Sequence, residues 1–211
     1  MTASNTLIML DDESKDALWN AVAECSTDSY TGKVNTGTLQ EAISRWRLEG
    51  TTERHCEHLT VRMGPLNPEK PADAVLLAFM DPEETTQITM RASEIGFNPD
   101  LGLVAVRMEP LQIGDFTPRE MMEEALFLEE QGGMLHGPRV VMHNFPLATD
   151  GRTPHITIAV NRETGGKPFL SNQMWGPKGL RLSPHSVNQR GTTYRDMTLN
   201  VTGHLINGSK S

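Results

Sequence analysis

His58-Leu59-Thr60-Val61 and His155-Ile156-Thr157-Ile158 carry one pattern twice, histidine, apolar, threonine, apolar, at two distant places in the chain. Both stretches read as β-strands. Side chains alternate across a strand, so His and Thr two positions apart share one face while the apolar residues between and after them point into a core. Each copy therefore presents one imidazole and one hydroxyl together. No other repeat is visible, and a lone internal repeat predicts two lobes related by an approximate two-fold about a central cleft. The expected class is α+β, with antiparallel sheets in each lobe and residues 1–211 forming one bilobal domain.

A single His-x-Thr would mean little in a chain rich in Thr with seven histidines. Apolar residues at both flanking positions make the pattern uncommon, and His55, His136, His143, His185 and His204 all lack it. The plain structural alternative is two half-buried strands whose polar face happens to carry His and Thr.

Working outward, Thr6 to Leu10 reads as a short apolar strand. Asp11 or Asp12 can cap a helix to about Cys25, with Leu18, Trp19 and Val22 on its inner face. Residues 26 to 38 read as a loop, and Leu39, Ile43 and Trp46 give helical spacing to 38–48. The first motif strand runs from His58 to Met63 and stops at Gly64-Pro65, before a turn over Asn67 to Pro71. Ala74 to Met80 is a continuous apolar run read as a strand, followed by strands at Gln87 to Ala92 and Leu103 to Met108. Thr117-Pro118-Arg119-Glu120 forms a capping box with Pro at the first helical position, opening a helix to Gln131 whose apolar stripe faces a core. Strands at 139–142, at Thr153 to Val160 and within Met197 to Ile206 complete the reading.

The net charge of −8 argues against a protein that coats long nucleic acid, and no duplex partner is expected. The distribution is uneven: residues 151–211 carry +6 and the first 150 carry −14. The basic part holds the second motif. That field suits a small phosphorylated ligand or a nucleic-acid end, although it would serve equally to bind the two halves together. Cys25 and Cys56 make no disulfide framework, and no N-terminal apolar run marks secretion or anchoring, so a cytoplasmic protein without a membrane partner is expected.

Two imidazoles that titrate near neutral pH, with two hydroxyl donors, suit acid–base chemistry on a phosphate ester. Here the residues reach a family. The paired motifs resemble the two-histidine (2H) phosphoesterase superfamily. Pro154-His155-Ile156-Thr157-Ile158, with Lys167-Pro168 and Ser171-Asn172 after it, resembles the second signature of the cyclic phosphodiesterase domain of fungal-type tRNA ligases. Leu7-Ile8-Met9-Leu10-Asp11-Asp12-Glu13-Ser14 resembles the first strand and helix of such domains. Residues 25–54 and 109–150 align to no pattern. The resemblance implies the bilobal fold and hydrolysis of a 2′,3′-cyclic phosphate, at an RNA end or on a nucleotide, to a 2′-monoester.

In that chemistry one of His58 and His155 takes a proton from water while the other protonates the departing ribose oxygen. Thr60 and Thr157 hold the nonbridging oxygens. Neither a metal nor a cofactor is required. Lys167, Ser171 and Asn172 are candidates for phosphate or base contact, though they equally make an ordinary loop. Trp175 is a candidate for base stacking or a lid on the core, and Tyr194 and Arg195 are further candidates for substrate contact. A metal held by His55, Cys56 and His58 would need a bulge, because residues three apart on a strand point to opposite faces. Two rival functions remain at this stage: a phage-type phosphodiesterase that destroys cyclic oligonucleotide messengers, and a nucleotide- or RNA-end-binding module without turnover.

Overall fold

A computed structural model of the chain describes residues 5–27, 52–80, 86–98, 100–121, 123, 147–149, 152–176, 180–181 and 192–207. Its strands are β1 (Thr6–Leu10), β2 (Thr52–Arg54), β3 (His58–Arg62), β4 (Gln87–Asn98), β5 (Leu103–Ile113), β6 (His155–Asn161) and β7 (Thr193–Ile206). Two helices are α1 (Asp12–Thr27) and α2 (Pro71–Phe79), and a 3-10 turn spans Pro168–Gln173.

The strands run β3-β1-β7-β4-β5-β6, and β6 pairs again with β3, so six antiparallel strands close on themselves as a barrel. This corrects the expected α+β fold of two lobes. The repeated motif marks two neighbouring strands of one barrel, not the equivalent strands of two sheets. A period-2 pattern specifies which face of a strand is buried but not which strand lies beside it.

β2 and β3 lie end to end along the same edge of β6, whose other edge pairs with β5. Closure leaves few backbone groups unpaired at an edge. β4 shifts register against β5 and β7 between Ala92 and Glu94, the kind of irregularity that bends a strand around a barrel. β1 and β7 approach closely at Gly203, where a Cβ would lie 2.6 Å from the Met9 carbonyl oxygen.

The core gathers alternate residues of every barrel strand: Ile8, Leu59, Val61, Ile88, Met90, Val104, Val106, Ile156, Ile158 and Val201 among them. A smaller cluster of Leu103, Ala105, Val160, Met174 and Trp175 packs separately, with Leu170 and Tyr194 against it. Thus β5 and β6 are covered on both faces near the 3-10 turn.

Helix α1 starts where Asp11 accepts a hydrogen bond from the Ser14 amide at 2.7 Å, as an N-cap side chain does. The Ser14 hydroxyl in turn accepts the Thr202 amide at 2.8 Å, tying the helix start to β7. The capping box is present: Thr117 N donates to Glu120 Oε2 at 2.7 Å and Glu120 N to Thr117 Oγ1 at 3.3 Å, with residues 118–121 helical. Residue 123 is helical too; residues 122 and 124–131 of that helix, the helix expected over 38–48 and the strand at 139–142 lie outside the described residues.

The apolar run expected as a strand is helical: Ala74 to Phe79 belong to α2, with Pro71 in its first turn, Asp73 near its N-terminus and Met80 as its extended C-cap. A short continuous apolar run fits a buried strand and a buried helix equally, and the Pro two to three residues upstream is the helix-start signal that decides. Asp73 is fully buried and pairs with Arg62 of β3 at 2.5 Å, while also accepting the Asn67 amide at 2.9 Å. That ion pair clamps α2 to the strand bearing the first motif. β1, α1, β3 and β6 occupy their expected places and β2 matches no expected element; β4, β5 and β7 are longer than the patterns suggested, and runs of buried residues at 94–98 and 103–106 hide the alternation in β4 and β5.

Candidate active site

Antiparallel pairing sets Leu59 opposite Ile156, and both are fully buried. Their neighbours therefore share the opposite face: Thr60 comes beside His155, and His58 beside Thr157. All four side chains line one cleft of about 240 Å³. Ser171 and Asn172, from the 3-10 turn, line it too.

The strand carrying His58 is irregular at this level. Between the pairs Arg54↔Ala159 and Leu59↔Ile156 it spends four residues, 55 to 58, against two on β6. His55 N and Cys56 N both donate to β6, to the Ile158 and Thr157 carbonyls at 2.9 Å each, and Cys56 has a φ of 45°. A non-glycine residue in that left-handed region is uncommon and carries strain. The bulge throws His55, Glu57 and His58 together onto the cleft. Cys56 itself turns inward; burial pushes its thiol up to about 12, so it is an inert core residue and not a nucleophile. Among the described residues no group of three metal-ligating side chains exists, and the His55, Cys56, His58 set does not form one.

His155 is held at both ring nitrogens. Nδ1 lies 2.7 Å from the Thr153 carbonyl oxygen and Nε2 2.8 Å from Ser171 Oγ. A carbonyl only accepts, so Nδ1 carries the hydrogen and Nε2 is the free base in the neutral ring. Burial lowers its pKa to about 4, the Thr153 contact opposing and the nearby Arg152 charge reinforcing that shift. Trp175 packs against the ring with centroids 5.7 Å apart. His58, by contrast, opens onto the cleft; partial burial lowers its pKa as well, with the Glu57 charge pulling the other way and His55 adding to the drop.

The other sequence candidates divide. Ser171 is 1% exposed, and its Oγ also lies 3.0 Å from Thr157 Oγ1. Asn172 is exposed and donates to the Phe169 carbonyl at 2.8 Å, closing the turn on itself. Lys167, Trp175, Tyr194 and Arg195 do not line the cleft. Trp175 is 5% exposed, with its indole N–H on Glu94 Oε1 at 2.7 Å, which makes it a buttress beneath His155 and unavailable for stacking a base. Gly96 makes room for it, since a Cβ there would come within 3.2 Å of the indole. Glu94 also holds Arg181, which pairs with Asp196, and Tyr194 donates to the Met174 carbonyl at 2.5 Å. These residues support the site from behind.

Several cleft residues escaped the sequence reading. Arg152 lines the cleft near His155 and brings a permanent positive charge. Phe169, 62% exposed, and Met63, 65% exposed, add apolar surface on two different segments. Phe169 sits inside the very turn that Lys167 and Ser171 had singled out; an aromatic flanked by such residues was the available signal. His55, singled out only in the metal reading that required a bulge, reaches the cleft because that bulge exists, without forming a metal set.

No family model matches the chain, and no curated protein matches it. Among solved structures it is similar in fold to the one titled "Crystal Structure of Fungal RNA Kinase", with a TM-score of 0.51 and 13% identity. That alignment covers 100% of this chain and 46% of the other, so the chain spans about half the length of this neighbour, and the likeness is one of fold.

Proposed function

We propose that the chain is a phosphodiesterase of the two-histidine kind that opens a 2′,3′-cyclic phosphate, at an RNA end or on a nucleotide, to the 2′-monoester. The observation that carries this reading is the convergence of His58, Thr60, His155 and Thr157 on one cleft across adjoining strands. The fungal RNA kinase whose fold is similar supports RNA as the substrate class.

The roles follow from the hydrogen bonds. His155, with Nδ1–H committed to Thr153 and a bare Nε2, is the base that takes a proton from water. His58, the imidazole open to the cleft, is then the acid that returns a proton to the leaving ribose oxygen; burial, with His55, holds its pKa below the ordinary value and Glu57 opposes that shift. An anionic phosphate between them raises both pKa values from their depressed resting positions. Thr60 and Arg152 meet the nonbridging oxygens, where charge builds in the transition state. Phe169 offers its exposed ring to the base.

The test is hydrolysis in EDTA of 2′,3′-cyclic AMP, a cyclic-phosphate-ended oligoribonucleotide and a panel of cyclic di- and trinucleotides. Wild type is compared with His58→Ala and His155→Ala. Turnover of the first two that both substitutions abolish is the expected result. Preference for the cyclic oligonucleotides would move the assignment to messenger destruction, and binding without turnover in wild type would make the chain a binding module.

A further inference from the structure

Ser171 is buried under the 3-10 turn, yet its Oγ meets three partners at once. They are His155 Nε2 at 2.8 Å, Thr157 Oγ1 at 3.0 Å and the Pro168 carbonyl oxygen at 2.6 Å. One hydroxyl has one hydrogen to give. While His155 is neutral, Nε2 has only a lone pair, so the bond between them requires Ser171 to donate. Once Nε2 is protonated it becomes a donor, and Ser171 can accept only if its own hydrogen turns elsewhere. The Pro168 carbonyl stands in place to receive it. Thr157 Oγ1 completes the set, since it can donate to Ser171 Oγ in both states.

We propose that Ser171 is a proton relay for His155, its hydroxyl passing a proton between the cleft and Nε2. In the forward step an O–H bond of the attacking water breaks and its proton moves to Ser171 Oγ. The hydrogen already on Oγ moves to Nε2. Oxygen of the former water bonds to phosphorus, His155 ends as imidazolium, and Ser171 is again a neutral hydroxyl, now free to donate to Pro168. No heavy atom of the site has to shift for His155 to change state, which is what a preorganised base requires. The relay explains why the atom best placed for chemistry, His155 Nε2, faces a side chain and not open cleft. It also gives Thr157 its task in the relay: while its one hydrogen holds Ser171 Oγ, the nonbridging oxygens are left to Thr60 and Arg152.

The chemical step rests on the phosphodiesterase reading, whereas the proton exchange between Ser171 and His155 does not, so two measurements separate them. The first is a titration of the His155 ring nitrogens by ¹⁵N NMR in wild type and Ser171→Ala, without substrate. Both states of the ring lose a bond to Oγ in the variant, but the imidazolium loses the stronger, charge-assisted one, so the His155 pKa is expected to fall further below its wild-type position of about 4; an unmoved pKa would overturn the proposal. The second is turnover of 2′,3′-cyclic AMP in mixtures of light and heavy water. Wild type is expected to give a bowed dependence on deuterium fraction, because two protons move together. Ser171→Ala is expected to lose on the order of tenfold to a hundredfold in kcat, with KM little changed and the dependence straightened. A straight dependence in wild type would overturn the relay, and that reading needs no variant to fold. Absence of wild-type turnover would instead overturn the phosphodiesterase assignment and leave the NMR titration to decide on Ser171.

Discussion

His58 and His155 hold equivalent places in their strands, each followed two residues later by threonine, but their surroundings differ in every respect that matters to a proton. Among the described residues, no hydrogen bond engages the His58 ring or the Thr60 hydroxyl, and the bulge at Cys56 holds that half of the site out toward the cleft. The other half is closed. His155 is bonded at both nitrogens, Thr157 meets Ser171, and Trp175 on Glu94 backs the ring. Equal sequence patterns have ended as one imidazole open to the cleft and one held at both nitrogens. The difference lies in what third segment covers each copy: the 3-10 turn after β6 covers one, and nothing comparable among the described residues covers the other.

That comparison can be broken most severely at the histidines. His58→Ala and His155→Ala should each lower kcat on a 2′,3′-cyclic phosphate by about a hundredfold to ten-thousandfold, measured in steady state. Equal retention of activity in either variant would refute the division of labour. The support can be broken next. Trp175→Ala empties the packing behind His155 alone and should cost about 3–5 kcal/mol in denaturant unfolding, with His58-side variants near neutral in the same assay. A loss under about 1 kcal/mol would mean the buttress collapses harmlessly.

Acid sharpens the contrast without any substitution. Both imidazoles have folded-state pKa values below the unfolded value, His155 at about 4. The unfolded chain thus binds protons first as pH drops, and stability present above pH 6.5 is lost as pH falls toward 4. From His155 alone the loss is up to about 3 kcal/mol, read from unfolding midpoints between pH 7 and pH 4. His155→Asn should flatten that slope more than His58→Asn does. The smallest effects belong to the threonines. Thr157→Val removes a hydrogen bond to Ser171 and should cost about 1 kcal/mol of stability, whereas Thr60→Val should cost less than half of that. Both should slow turnover; equal stability losses would show that Thr60 is engaged after all.

Much of this site was legible before any fold was known. The His and Thr positions and their burial parity follow from strand alternation and from residue types that can titrate or donate, whereas Ser171 and Asn172 came from the family resemblance and read equally as an ordinary loop. The capping box at Thr117 and the Asp11 cap were equally readable, because their partners lie within three residues. Ala74 to Met80 was harder, since seven apolar residues satisfy helix and strand periods alike and the one local signal for a helix is Pro71 ahead of them. The cleft positions of Arg152 and His55 were not legible for a different reason: they depend on where β6 begins and on a two-residue excess in the facing strand.

What the sequence determined by itself was therefore local: which residues form strands, which face each shows, and which side chains could do acid–base chemistry together. Only the tertiary structure decided that the strands close into one barrel, that the two motifs are neighbours in it, and that one is covered and the other open. The physical reason is the nature of strand pairing. Backbone hydrogen bonds between strands are the same for every residue but proline, so the sequence specifies a strand's faces strongly and its partner weakly. The partner is selected by how the whole apolar set can be enclosed at once.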